Sequence, residues 1–424
     1  MTKRSWLGSV LVVGLLASCG GGTPITRDNF SYLYGRAGTS LRLMARVYNQ
    51  SEERSAIHFK LRTRELLYKS EGGGPPYSAS VRIRYESFSD WSLRQLLDSA
   101  STLVRDHTND PAAEMDLIGS MEMRRNELST FVVRITATDL HRELATSVVI
   151  PMERGEGGHR QDFLPLDKGS GLPLFDDHRP GGGEVVILCE RYAGHTLLGS
   201  WYDRSYGLPP PVFTNTDPSA ISKTPDSTFS IEVDEHGRAL LALGDRGAYH
   251  LRTDSTRLSG YTLHVLHESY PEVRNGAAML PPLRYITSMQ EFDQITAATD
   301  RRKAVERFWL DAAGSRDRAR DAIRAYYSRV ENANRFFTSH VEGWKSDRGL
   351  VHIIFGTPNV IHKGDRSETW IFGEETNLMS LTFTFVKRDQ PFTDNDLVLE
   401  RDPVLKGAWY RNVESWRNGR IQQN

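Results

Sequence analysis

Cysteine is nearly absent: the 424 residues hold two, Cys19 and Cys189. Two thiols cannot build a disulfide-stapled scaffold or a cysteine-rich metal site, so the fold has to rest on hydrophobic cores. An excess of one charge is absent too. Lys and Arg number 53 against 54 Asp and Glu, a net charge of −1. That balance gives no global field to attract nucleic acid, and no nucleic-acid partner is expected. Long apolar runs are missing except for one, Trp6 to Ala17, and it falls short of the about 20 residues that cross a bilayer. Signatures of catalysis are missing as well. There is no Gly-x-Ser-x-Gly elbow, no phosphate loop and no His-Glu-x-x-His helix. The run Gly72–Gly74 lacks the strand-to-helix setting that cradles a phosphate. These absences predict no catalytic residue, no cofactor and no metal.

What is present begins at the N-terminus. Lys3 and Arg4 precede the apolar run, which ends in Leu16-Ala17-Ser18-Cys19 and then Gly20-Gly21-Gly22. A short positive region before a short apolar one fits a signal peptide. The four residues up to the cysteine resemble the lipobox of bacterial lipoproteins. The resemblance implies that residues 1–18 are removed, that Cys19 is acylated, and that residues 19–25 form a tether. The same resemblance implies, from Gly20 in place of Asp, delivery to the outer membrane over retention in the inner one.

Residues 26–155 read as strands. In Ala56–Arg62, Ile57, Phe59 and Leu61 share one face, and Ser40–Tyr48, Val81–Tyr85, Phe131–Thr136 and Ser147–Ile150 also look extended. Period-two alternation at short spacing predicts an antiparallel sandwich. Residues 156–183 are rich in Gly and Pro and read as a linker, with Asp176, Asp177 and His178 in a solvated turn. Strand patterns resume over 184–275, a second β-domain. Cys189 lies there in an apolar run, as a small buried hydrophobe. After Pro281 and Pro282 the period turns helical, and Ala319, Ile323, Tyr326, Val330 and Phe337 recur on one face. Gly314 and Ser315 separate two helices. Residues 288–424 then close with strands at Leu350–Phe355, Glu368–Phe372 and Ser380–Val386 and a last helix from Val404 to Trp416. The expected fold class is multidomain and mainly β: two N-terminal β-sandwich-like domains, a helical segment and a small α+β C-terminal domain.

Residues 343–349 read Gly343-Trp344-Lys345-Ser346-Asp347-Arg348-Gly349. Phe308-Trp309 and the block Tyr326–Phe336 precede them. Phe355-Gly356-Thr357-Pro358-Asn359 and Glu368-Thr369-Trp370 follow. The arrangement resembles the GWxTD domain of bacterial envelope proteins over about residues 299–386, with Ser346 where the family has Thr. The resemblance implies a secreted or lipid-anchored protein with β-domains ahead of the motif, and implies no reaction. In physical terms Gly343 and Gly349 admit unusual backbone angles and Trp344 anchors the turn. Ser346 or Asp347 fixes it through backbone N–H groups, and Arg348 reaches Glu368 or Asp347. The same residues could instead form a polar site.

The function expected from the sequence is a non-catalytic envelope lipoprotein, held to the membrane by its N-terminal lipid. It would act as a scaffold or protein-binding component at the outer membrane. Gly343, Trp344, Ser346, Asp347, Arg348, Gly349 and Glu368 would meet the partner. One alternative is a hydrolase of an envelope polymer, a peptidase or glycan hydrolase, built on Asp347, His352 and Glu368. Another is a glycan-binding module using Trp201, Tyr202 and Tyr206.

Overall fold

Alternating strands bury one face, and the buried faces sort the chain into three cores. A computed structural model describes residues 28–34, 41–124, 127–155, 157–203, 206–216 and 220–420. The leader, Cys19 and the tether lie outside the described residues. The protein is mainly β, with a C-terminal region in which helices cover a sheet.

The first core lies between two antiparallel sheets. Strands β1 (Met44–Asn49), β2 (Arg54–Arg62), β3 (Tyr77–Phe88), β4 (Leu96–Thr108), β5 (Asp116–Arg124), β6 (Thr130–Asp139) and β7 (Leu144–Glu153) pair in the orders β1-β2-β5 and β4-β3-β6-β7. Ile57, Phe59 and Leu61 point inward as their spacing predicts, against Val81, Ile83, Tyr85 and Ile135. Strands β4 and β5 carry too many polar residues for the alternation to show in sequence.

The second core is also a pair of sheets. Strands β8 (Leu164–Asp167), β9 (His178–Pro180), β10 (Gly183–Leu188), β11 (Thr196–Tyr202), β12 (Ser227–Glu232), β13 (Arg238–Leu243), β14 (Gly247–Arg252) and β15 (Tyr261–Leu266) form the orders β13-β10-β8 and β12-β11-β14-β15-β9. The segment 156–183 is therefore not a linker. It supplies β8 and β9, and Phe163 and Leu164 are buried. Its glycines mislead because they punctuate short strands. Asp177 is not a solvated turn residue either, since it meets Arg46 of β1 at 2.7 Å. Asp162, fully buried, accepts from Asn49 at 3.0 Å and Arg191 at 2.9 Å, and so fastens the first unit to the second. Cys189 is buried, and burial pushes its thiol up to about 12, which leaves it unreactive at neutral pH.

The third core is helical on one side. It comprises α1 (Gly276–Met279), α2 (Met289–Ala297), α3 (Arg301–Ala313), α4 (Arg316–Phe337), α5 (Asp347–Phe355), strands β16 (Val360–Lys363), β17 (Ser367–Phe372), β18 (Leu381–Lys387), β19 (Leu397–Leu399), and α6 (Lys406–Arg417). The sheet order is β16-β17-β18-β19. Gly314, at φ +67°, ends α3, and Ser315 caps α4, as the Gly-Ser pair predicts. Leu350–Phe355 is the last turns of α5 and not a strand. The run is apolar all round because the helix is enclosed on every side, and periodicity cannot tell such a run from a buried strand.

Two junctions were not foreseen. The segment 29–34 inserts into the third core: Phe30 and Tyr34 are buried there, and the Phe30 N–H donates to Ile361 at 2.9 Å. The five-stranded sheet of the second unit is covered on both faces. Tyr261, Leu263 and Val265 face its own core, while Tyr202 and His250 pack edge-on to Phe392 of the third unit.

Candidate functional site

The motif is a frame of close backbone approaches. Residues 343–345 form one 3-10 turn, and Ser346 caps α5 by accepting from the Gly349 N–H at 3.0 Å and donating to Gly343 O at 2.7 Å. The glycines are required for space and not, as expected, for unusual angles. A Cβ on Gly343 would stand 2.0 Å from the Ala333 carbonyl oxygen of α4, and one on Gly349 would stand 2.0 Å from that of Gly343. Trp344 is held through its backbone. Its N–H donates to Asn334 Oδ1 at 3.1 Å and its carbonyl accepts from Tyr285 Oη at 2.8 Å.

Two of the motif's three charged residues, Asp347 and Arg348, are consumed inside the protein, while Lys345 is half-buried beside Glu342. Asp347 is 6% exposed and forms a two-pronged pair with Arg401, while accepting from the Leu399 N–H at 2.8 Å. Burial pushes its carboxyl up, against the opposing pull of Arg401. Arg348, 2% exposed, donates to Glu368 at 3.2 Å and to the Asn395 carbonyl at 2.9 Å, and lies over the Phe337 ring. Glu368 also meets Lys363 at 3.3 Å and accepts from Trp370 Nε1 at 2.6 Å. Burial raises the Glu368 carboxyl, but Lys363 and Arg348 together outweigh it and hold the group below the usual range. Lys363 donates to Tyr34 Oη at 2.8 Å, which joins the N-terminal segment to this network. The sequence reading of Arg348 with Glu368 is right. Arg401, Asn395 and Lys363 were missed, since no local spacing announces them.

This geometry corrects the expectation that the motif meets a partner. Gly343, Trp344, Ser346, Asp347, Arg348, Gly349 and Glu368 are all buried, and their polar groups face one another. His352, on α5, is buried, close to the Gly356 backbone. Burial holds it neutral, at about 3. Asp347 and Glu368 sit in separate ion pairs, so the grouping with His352 that a hydrolase would use does not form.

One concave feature lies between the second and third units. A cleft of about 290 Å³ is lined by Tyr202, Tyr206, His264, His340, Glu342 and Phe392, among others. His264 is buried, and its Nε2 has no partner among the described residues. Burial lowers His264 to about 3 and His340 to about 4. Glu342 is held by Lys345 at 2.7 Å and Arg246 at 3.4 Å. Ser339 Oγ at 3.4 Å, Gln390 at 3.1 Å and Asp396 at 3.7 Å all approach one nitrogen of His340, Nδ1. A relay needs its nucleophile and its carboxylate on opposite ring nitrogens, so this cluster is not one. Of the three aromatic residues singled out in the sequence, Tyr202 and Tyr206 reach the cleft and Trp201 does not. Among the described residues, no group of three or more His, Cys, Asp or Glu is placed to hold a metal, and no helix is long and apolar enough to cross a membrane.

With this frame in view, the class of protein is defined. Residues 247–418 match the GWxTD domain family, and the chain is a GWxTD domain-containing protein. The match begins well before the helices, so β14 and β15, which form one wall of the cleft, belong to the same family unit as the motif. No curated protein matches the chain. Among solved structures, it is similar over 36% of its length to a calcium-binding mutant of Bacteroides uniformis beta-glucuronidase 2. That likeness has 12% identity and a TM-score of 0.18, and the chain covers 15% of that structure.

Proposed function

We propose that this GWxTD domain-containing protein is a non-catalytic, lipid-anchored component of the cell envelope. In this reading the GWxTD domain is the rigid piece that joins an anchored N-terminus to two β-units and offers them to a protein partner at the outer membrane. One observation carries it: the carboxylate and the arginine of the motif are spent on internal pairs, Asp347 with Arg401 and Arg348 with Glu368. A catalytic site leaves an acid, base or nucleophile open to substrate; here the motif's carboxylate is closed off, and Lys345, at the cleft, is held by Glu342 at 2.7 Å. The anchor rests on Cys19 at the end of a signal-like run. Several acyl chains there would hold the protein firmly, because each buried CH₂ contributes about 0.8 kcal/mol.

The test is membrane fractionation with labelled palmitate. The native chain should take the label and band with the outer membrane, and Cys19→Ala should lose both. In-cell crosslinking of the native chain should give an adduct with one defined envelope protein. An unlabelled, soluble native chain would sink the anchor. Cleavage of an envelope polymer by the native chain, abolished in His340→Asn, would replace the scaffold with a hydrolase.

The cleft favours a second reading, a small-ligand module. Two tyrosines and Phe392 beside Glu342 suit one polar ring such as a sugar, since aromatic faces stack on its C–H surface while charged groups bind its hydroxyls. At about 290 Å³ the cleft is at the small end of ligand pockets. Calorimetric titration with monosaccharides decides it, with Tyr206→Ala as the control.

A further inference from the structure

The loop between β17 and β18 carries the two most exposed large apolar residues among the described residues, Leu378 at 101% and Met379 at 87%. They are adjacent, and the loop that holds them is built. Asn377 N–H donates to the Glu374 carbonyl at 3.1 Å, Met379 N–H to Asn377 Oδ1 at 2.9 Å, and Ser380 Oγ to the Glu374 carbonyl at 2.8 Å. The two side chains are thus held out in fixed positions against a solvent that disfavours them. Scattered single apolar residues on a surface are ordinary; an ordered, fully exposed pair at a loop tip is the kind of feature that meets an apolar phase.

The place where the N-terminal segment joins the fold says which phase. Asn29 donates to the Asn359 carbonyl at 2.9 Å and accepts from the Ile361 N–H at 3.0 Å. The side chain of the same Asn359 accepts from the Gly373 N–H at 2.8 Å, and Gly373 opens the loop that carries Leu378 and Met379. One residue therefore ties the segment 29–34 to the base of the apolar tip. From Cys19 to Asn29 there are ten residue steps, which reach at most about 36 Å at full extension. A lipid on Cys19 would bring the membrane surface to this end of the third unit. The first unit extends from the same region: Asp28 meets Arg134 at 3.8 Å, and Arg134 pairs with Glu86 near the end of β3. The opposite end of that 12-residue strand, with the β4–β5 loop and Met115, is the distal end.

We infer that the Glu374–Ser380 loop is a membrane-contact loop, which seats Leu378 and Met379 at the boundary between headgroups and acyl chains. Glu374 and Glu375 in the loop oppose a strongly anionic surface, so the surface is largely zwitterionic. This inference rests on the anchored reading above. The acyl chains supply the affinity, and the loop fixes the orientation, with the third unit on the membrane and the two β-units held away from it.

The test uses the full chain in isolated membranes, carrying Met379→Cys or Met115→Cys and labelled with a polarity-sensitive maleimide. Cys189 is buried and stays unlabelled, and an acylated Cys19 has no thiol. The expected result is a blue-shifted probe at 379, quenched by nitroxide-bearing lipid and shielded from aqueous iodide, with the reverse at 115. A probe at 379 as open to iodide as the one at 115, in a chain whose Cys19 does not react, overturns the loop and leaves the anchor standing. A probe at 379 shielded from both quenchers assigns the pair to a protein partner and also overturns the inference. A chain without added cysteine whose Cys19 takes the maleimide, and which washes off the membrane, overturns the anchor and the loop together.

Discussion

Replacing Asp347 with Ala separates a structural motif from a binding one. The carboxylate holds Arg401 by two oxygens and the Leu399 N–H by one, and both side chains of the pair are 5% exposed. Removing it leaves a guanidinium in the interior with only carbonyl partners, at Leu399 and Pro210. Breaking a buried pair from one side costs about 3–5 kcal/mol. With a urea dependence of about 2 kcal/mol/M, the midpoint falls by roughly 1.5–2.5 M. Intrinsic fluorescence is a selective probe, because Trp309, Trp344, Trp370, Trp409 and Trp416 all lie in the third core. Asp347→Ala/Arg401→Met removes both charges and should recover part of the loss, with a coupling on the order of 1–3 kcal/mol. An unchanged midpoint for Asp347→Ala, or single effects that simply add in the double variant, would refute the pairing argument.

Gly343→Ala drives a methyl into the Ala333 carbonyl and should cost about 3 kcal/mol, measured by the same unfolding curve. Phe30→Ala empties a site in the third core and should cost about 3–5 kcal/mol, visible as a loss of tryptophan-reported stability although the residue lies far from that domain in sequence. Acid should weaken the fold. Burial lowers His250 and His340 to about 4 and His264 and His352 to about 3, so the unfolded chain binds these protons first. Their contribution is complete above the ordinary histidine value of about 6.5 and is lost as pH falls from there toward 4, at several kcal/mol per pH unit on the order-of-magnitude scale. The raised carboxyl of Asp347 works in the opposite sense. Denaturation midpoints at pH 7, 6 and 5 check this; a flat profile would show that the histidines are not held neutral.

Strands with one wet face were legible in the sequence. Ile57, Phe59 and Leu61 alternate with His58 and Lys60, which stay part-exposed on the other face of β2. The α3–α4 break was legible because Gly314 and Ser315 are chemically specific to a helix end and a helix start. Strands β4 and β5 hid behind polar residues, and β8 and β9 behind glycines. Helix α5 hid its period because every side of it is enclosed, although Ser346 and Gly356 already mark its two ends. The family motif could be read from sequence because it is local. Its meaning could not, since Arg401 stands 54 positions from Asp347, and spacing within the motif says nothing of a partner that arrives from another element. The cleft was invisible for the same reason: its walls come from β15 and from the segment before the motif.

The docking of residues 29–34 also sets an order of events. Asn29 and Ile361 lie 332 positions apart in a chain of 424, so their contact closes more than three-quarters of it into a loop. Ribosomes make Phe30 early and its binding site late, and closing so long a loop costs entropy that only the finished third core offsets. Until the third core is made, residues 29–34 have no site to enter. Folding would then seal the seam, and damage at either end of the chain would open the same core.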